Sequence, residues 1–409
     1  MENKWIRAAI PALLIHVSVG TVYCWSTVKE QIAYQIGMSQ FSVGWAFSLA
    51  IFFLGMSAAF AGRFVERDIH KSSLISCLCF TIGMIGTGMV IKFMTGITAL
   101  IGIYLFYGVI MGVGLGIGYL SPVKTLMLWF DKQKGLATGI SIMGFGLAKA
   151  IATPIMQTLQ DNIGIGNTFV VLGEAYFCLM FIGHKLLKKP EGWIERGHLI
   201  NTKEDPFNMF KNKEFVGIWL MFYINIHCGL MIISYEKQIL NSAFATSVLL
   251  STMTILIPSL SAVFNALGRI GYSTLSDKLK QRNTVYKTIF ISSIIVSIIV
   301  YFSRATLGAY NIILSAIIIL FLLTINAGYG GGFSTLPALL SERFGMQKIS
   351  QIHGLALSAW AVAGLTGNNM SEIVLRHTGN YQMVIFIGAA LYMLAFGICA
   401  VVVGDKGEV

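Results

Sequence analysis

The sequence predicts an all-α membrane protein whose twelve transmembrane helices form two pseudo-symmetric six-helix bundles. Three observations carry this expectation. Of 409 residues, 56% are hydrophobic and only 11% are charged, where a soluble domain carries about 25% charge. Twelve apolar runs recur along the chain, each able to supply the roughly 20 helical residues that cross a ~30 Å hydrocarbon core. The longest polar connection divides these runs six and six.

The runs follow in order, each bounded by charge or by a polar turn. Span 1 (6–28) begins after Lys4 and stops at Lys29, and span 2 (39–62) stops at Arg63. Span 3 (72–92) lies between Lys71 and Lys92, and span 4 (97–129) ends before Lys132 and Lys134. Span 5 (135–160) follows that turn, and span 6 (167–187) runs into Lys185, Lys188 and Lys189. Span 7 (214–234) starts after Lys211 and Lys213, and span 8 (246–273) stops ahead of Lys278, Lys280 and Arg282. Span 9 (285–303) ends at Arg304, and span 10 (308–340) ends before Arg343. Span 11 (350–375) sits between Lys348 and Arg376, and span 12 (380–404) precedes Lys406. Spans 4 and 10 are the longest and contain glycine and proline, so they are expected to bend or to extend past the bilayer. The 43 glycines fit close packing of membrane helices.

Lysine and arginine set the orientation. With the N-terminus inside, 21 of the loop and terminal basic residues fall on the inner side and five on the outer. Both termini are therefore expected in the cytoplasm, with the chain in the inner or plasma membrane. The net charge of +11 reads as this topology signal and excludes a nucleic-acid footprint, because no soluble basic domain exists to carry one. No short apolar leader with a small-residue cleavage site stands apart, so no cleaved signal peptide is expected. The six cysteines lie in apolar runs without metal-ligand spacing and read as buried free thiols. No metal site and no cofactor is expected.

The connection "KKPEGWIERGHLINTKEDPFNMFKNK" organises the chain as an N-terminal bundle (1–187), a linker (188–213) and a C-terminal bundle (214–409). "GRFVERDIHK" after span 2 is echoed by "GRIGYSTLSDKLKQR" after span 8. Matched signals in two halves suggest an internal repeat of the kind that builds secondary transporters.

Six further features narrow this reading: "GTVYCWS" in span 1, "GIGYLSP" in span 4, "WFDKQKGLATG" before span 5, "GFGLA" in span 5, "LPALLSERFG" ending span 10, and Gly-Arg at 268–269. In this order the set resembles the major facilitator superfamily, and within it the oxalate:formate antiporter family of small-carboxylate carriers. The resemblance spans essentially the whole chain. It implies a twelve-helix fold, alternating access, and an anionic carboxylate held at mid-membrane.

Three basic residues lie inside spans and away from the loops and span ends: Lys124, Lys149 and Arg269. Charge at membrane depth is costly and faces a cavity or a partner. Arg269 is the candidate carboxylate anchor, since guanidinium stays charged and offers a planar fork. Span 8 holds no acidic residue to neutralise it. The family's substrate-binding arginine falls here. The alternative is a pair with Asp277, eight residues on. Lys149 lies four residues after Phe145, on the same helical face, and is a candidate second cation; its alternatives are a pair with Glu174, or a lysine that snorkels or loses its proton. Lys124, near the inner end of span 4, is expected to snorkel.

The family's oxalate carriers have a binding lysine in span 11, and the matching position here holds Trp360. That departure favours a monocarboxylate such as lactate, pyruvate or formate; an oxalate-like dicarboxylate would need Lys149 as replacement. Tyr23, Trp25, Tyr119, Phe145, Tyr329, Phe333 and Trp360 are candidate walls of the pocket. Tyr hydroxyls can donate to carboxylate oxygens, with ordinary aromatic packing the alternative at each position. His227 and Glu174 are candidate proton carriers, with His353 and Glu372 as lesser ones. Arg63, Glu66, Arg67, Asp68 and Asp277 are the expected gating charges.

The sequence thus predicts a secondary transporter of small organic carboxylates, by anion antiport or proton symport, and not an enzyme. Its partners are the anion, the bilayer and a coupling proton, and it is expected to act as a monomer without nucleic acid. An exporter of amphipathic drugs and a non-transporting carboxylate sensor are the competing readings.

Overall fold

The computed structural model describes residues 3–191, 206–236, 239–240, 248–307 and 312–404. Linker residues 192–205, the first two residues of span 8 and the first four of span 10 lie outside the described residues, as do Lys237 and Lys406. Every regular element among the described residues is helical. Six helices precede the linker: α1 Trp5–Ile36, α2 Gln40–Arg67, α3 Ile69–Phe93, α4 Gly96–Trp129, α5 Lys134–Ile163 and α6 Ile165–Leu186. Among the described residues six long helices follow it: α7 Lys213–Ile233, α8 Val248–Ser276, α9 Asn283–Leu307, α10 Ile312–Phe344, α11 Ile349–Thr378 and α12 Tyr381–Val403. Ten of the twelve are long and apolar enough to cross a membrane on their own composition. The other two, α8 and α11, pack across the boundary between the bundles, α11 against α2 and α8 against α5. Large apolar side chains such as Ile101, Ile295, Phe302, Leu320 and Phe386 cover the outside of the bundle, as a lipid-facing surface requires.

Several helices run beyond their expected ends. Expected span 2 stops at residue 62, yet α2 continues to Arg67; expected span 8 stops at 273, and α8 reaches Ser276. At 1.5 Å per residue the 28 residues of α2 measure about 42 Å, more than a hydrocarbon core. The surplus turns hold the two bundles together on the face that carries both termini. Glu66 accepts from the backbone N–H of Ser350, at the start of α11, at 2.5 Å, and pairs with Lys124 of α4. Asp277, just past α8, accepts from the N–H groups of Gly135 and Leu136, at the start of α5, at 2.9 and 2.8 Å. Each bundle therefore ends a helix in a carboxylate that caps a helix N-terminus of the other, where unsatisfied donors and the helix dipole favour negative charge.

Lys124 corrects an expectation. It is 2% exposed and bound to Glu66, so it stabilises the closed face rather than reaching out to headgroups. Asp68 also departs from its expected role: it accepts from the N–H groups of His70 and Lys71 and caps α3 within its own bundle. The Lys71 amide, foremost, holds its carboxyl below the usual range. Arg67 is exposed, and Arg63 is half-buried at the same end.

The seam between α2 and α11 is backbone on backbone. A Cβ on Gly62 would lie 2.5 Å from Gln351 Cα, and one on Gly354 would lie 2.1 Å from the Ala58 carbonyl oxygen. On the other seam, a Cβ on Gly135 would meet the Ser273 carbonyl oxygen at 1.9 Å. Close approach of small residues is the usual way membrane helices gain contact without a hydrophobic driving force.

Candidate functional site

The two bundles meet on one buried cluster. Arg269 sits two turns inside the end of α8 and is 1% exposed. Its Nε donates to Asn265 Oδ1 at 2.9 Å and its Nη1 to the Ile142 carbonyl oxygen at 3.2 Å. The guanidinium carbon lies 5.4 Å from the Phe333 ring centre and 5.8 Å from that of Phe145, one ring from each bundle. Space for it on α5 comes from Gly146, where a Cβ would stand 2.9 Å from Nε. Among the described residues no carboxylate lies within ion-pair distance of Arg269. The sequence-based alternative, a pair with Asp277, does not form, because Asp277 is held by α5 and by Arg282 at 2.7 Å.

Six of the other residues expected at the site are brought together here. Phe145 contacts Tyr23, Tyr119 and Trp360 edge-on, at ring separations of 5.4, 5.8 and 5.7 Å. Trp360 packs on Phe333 at 4.5 Å, and Phe333 on Tyr329 at 5.1 Å. The Tyr23 and Tyr329 hydroxyls hydrogen-bond at 3.1 Å across the bundle boundary. Tyr23, Tyr119 and Tyr329 all lie within electrostatic range of Arg269. Two buried donors, Tyr119 Oη and Trp360 Nε1, have no hydrogen-bond partner among the described residues. An unmet buried donor is costly, so the cluster presents a fixed cation and two donors without an acceptor.

Other expectations are corrected. Trp25 lies away from the cluster, against Tyr107 at 4.1 Å and Phe169 at 6.3 Å inside the N-terminal bundle. Two residues along a helix rotate a side chain by about 200°, so Trp25 faces opposite to Tyr23. Glu174 is exposed on α6 and is not a buried partner of Lys149. His227 is bonded within the α7–α11 seam, its Nδ1 2.9 Å from Thr366 Oγ1 and 3.3 Å from the Tyr223 hydroxyl. His353 is buried beside Tyr119, at 5.8 Å between rings. Glu372 pairs with Arg376. Of the cysteines, Cys178 is exposed and Cys79 partly so, while the other four are buried thiols.

Two groups escaped the sequence reading. Glu236, just beyond α7, is buried, accepts a hydrogen bond from Ser261 of α8, and lies within electrostatic range of half-buried Lys149. Burial pushes its carboxyl up to about 7, against the Ser261 hydrogen bond and the Lys149 charge. An acidic residue three places past an apolar span was the signal. His16 of α1 is fully buried between α4 and α5, and its ring lies tilted 5.2 Å from that of Tyr119.

Two six-helix bundles packed about a shared central interface are the architecture of many secondary transporters. The chain belongs to the Major Facilitator Superfamily, whose family profile matches residues 12–368. It is similar over its whole length to the oxalate:formate antiporter of Oxalobacter formigenes, with 23% identity covering 100% of this chain and 93% of that one. Apicoplast pyruvate carrier 1 of Toxoplasma gondii is 20% identical, covering 97% of this chain and 89% of the other. Among solved structures, the proton:xylose symporter XylE bound to 6-bromo-6-deoxy-D-glucose matches with a TM-score of 0.70 at 14% identity, over 97% of this chain and 94% of that one. The last likeness speaks for the fold alone.

Proposed function

We propose that the chain carries small organic monocarboxylates across the membrane by alternating access, with Arg269 as the anchor. The observation that supports this most is the burial of Arg269 without a carboxylate partner at the junction of the bundles. A guanidinium in that position is stabilised by an anion that arrives and leaves. Tyr119 Oη and Trp360 Nε1 are the donors for further oxygens, and Phe145, Phe333 and Tyr329 enclose the apolar body. Tyr23 and Tyr329 close the pocket from either bundle. Lys149 has Glu236 in electrostatic range, which argues against its serving as the free second cation of a dicarboxylate.

The functional units are residues 1–187 and 214–409, rocking about this centre. The termini face is the cytoplasmic one, as its basic loops indicate, and the bilayer is the cell's inner or plasma membrane. Glu66 and Asp277 are the latch of that face. The carrier acts as a monomer, and the anion exchanges for another or moves with a proton.

A thermal-shift screen of short mono- and dicarboxylates tests the substrate class, because a ligand at 100 times its Kd stabilises by about 2.7 kcal/mol. Pyruvate, lactate or formate should raise the melting temperature more than oxalate does; stabilisation by hydrophobic cations alone would sink the proposal. Trp360→Lys should shift preference toward oxalate by about tenfold, the effect of roughly 1.4 kcal/mol from one added ion pair. An unchanged preference would remove Trp360 from the pocket. Gly146→Ala should weaken pyruvate binding about tenfold by pushing the guanidinium aside, as read by titration of the melting temperature, with the folded fraction unchanged by gel filtration.

A further inference from the structure

Neither main expected proton carrier adjoins the anchor: His227 is bonded between α7 and α11, and Glu174 is exposed, while the lesser candidate His353 lies beside Tyr119. His16 does adjoin it, and its contacts are unusual. Its Nδ1 lies 2.6 Å from the Ser141 carbonyl oxygen and 3.0 Å from Ser141 Oγ, while Nε2 lies 3.3 Å from the Tyr119 carbonyl oxygen. Both carbonyls can only accept. A neutral imidazole has one N–H to offer. The shorter contact assigns that hydrogen to Nδ1, so Nε2 turns a bare lone pair toward an acceptor. One more proton converts this contact into a second donation, and the imidazolium satisfies both carbonyls.

We infer that Nε2 of His16 is the site that binds the coupling proton: it takes up H⁺ when a carboxylate occupies Arg269 and gives it up when the anion leaves. The inference rests on the carboxylate reading. The groups around His16 explain the coupling. Arg269 of α8 and His353 of α11 are within electrostatic range, the Tyr119 ring of α4 lies tilted against the imidazole at 5.2 Å, and α5 contributes Ser141 and the Phe145 ring at 6.4 Å. On α6 the neighbour of this turn is Gly183, against Ile15. Burial is the chief cost of an imidazolium here, and the guanidinium adds a smaller opposition to a second cation nearby. A carboxylate on Arg269 cancels the guanidinium's part, and the second donation to the Tyr119 carbonyl offsets part of the burial cost. The charges balance: Arg269 alone is +1 in the empty carrier, and Arg269, the anion and imidazolium sum to +1 in the loaded one. One anion and one proton thus cross without adding charge at membrane depth.

The test uses the full chain in weakly buffered detergent with a pH-indicator dye and pyruvate as the probe. Near neutral pH the wild type should take up about one proton per bound pyruvate, and its affinity should weaken by up to about tenfold per pH unit as pH rises. His16→Gln should lose both the proton uptake and the slope. Pyruvate binding by the wild type without proton uptake would overturn the inference while leaving the carboxylate reading standing, and that measurement does not depend on the variant folding. Unaltered proton uptake by His16→Gln would overturn it as well. No binding of any short carboxylate by the wild type would overturn both readings together.

Discussion

Arg269→Ala is expected to abolish carboxylate uptake in proteoliposomes, with a loss of at least about 100-fold. A charge-assisted, two-pronged hydrogen bond to a carboxylate in a dry site is worth roughly 3 kcal/mol or more, and each 1.4 kcal/mol is tenfold. Arg269→Lys should lose most of the activity too, because a point charge cannot reproduce the fork and the neighbours are shaped for a guanidinium. The geometry makes a second, less obvious forecast. The guanidinium is buried between two aromatic rings and has no carboxylate near it among the described residues. Arg269→Met should therefore melt higher than the wild type in the absence of substrate, since it removes a desolvated charge while conserving much of the volume. Measured together, dead transport and raised thermal stability would mark Arg269 as a functional residue. Uptake at the wild-type rate by Arg269→Ala would refute the anchor, and a large drop in the variant's folded fraction would make it structural.

Asp277→Ala is expected to open the termini face. The carboxylate accepts from two amides of α5 and from Arg282. Hydrogen bonds to charged groups contribute about 1.5–3 kcal/mol each, and a net loss near 3 kcal/mol would shift the balance of open and closed forms about 100-fold. A cysteine placed in the α4–α5 turn should then react faster with a membrane-impermeant maleimide. Glu66→Ala should act in the same direction through the α2–α11 contact, and the double variant further still. Unaltered cysteine reactivity in both single variants would show that the closed face is held by packing rather than by its carboxylates.

Most of the architecture was legible because it depends on long-range averages. Twelve apolar runs do not depend on where any side chain points. Arg269, Tyr119, Phe145 and Trp360 were legible for a related reason: charge or aromatic bulk at membrane depth is rare enough to be read residue by residue. The internal repeat was read from the wrong signal. Gly-Arg at 62–63 and at 268–269 looks matched, yet Gly62 abuts α11 of the other bundle while Gly268 abuts Ala327 of α10 in its own. The structural match is between Glu66 and Asp277, each capping a helix across the boundary. Helical phase misled at Trp25, two residues from Tyr23 and on the opposite face. Lys124 and Glu66 are 58 residues apart and paired, a contact that no local pattern encodes. His16 carried no charge signal and no motif; its interest lies in two carbonyls supplied by other helices.

The backbone contact between α2 and α11 carries a practical consequence. Side chains that interlock must change rotamer before two helices part, whereas surfaces lined by Gly62 and Gly354 have little to disengage, so the parting motion meets low friction. The same smoothness makes the seam easy to jam. Gly354→Trp would place a wedge where only 2.1 Å separates a notional Cβ from the Ala58 carbonyl oxygen, and would trap the carrier with that face ajar. Such a trapped form would be a ready target for selecting binders that recognise one conformation only.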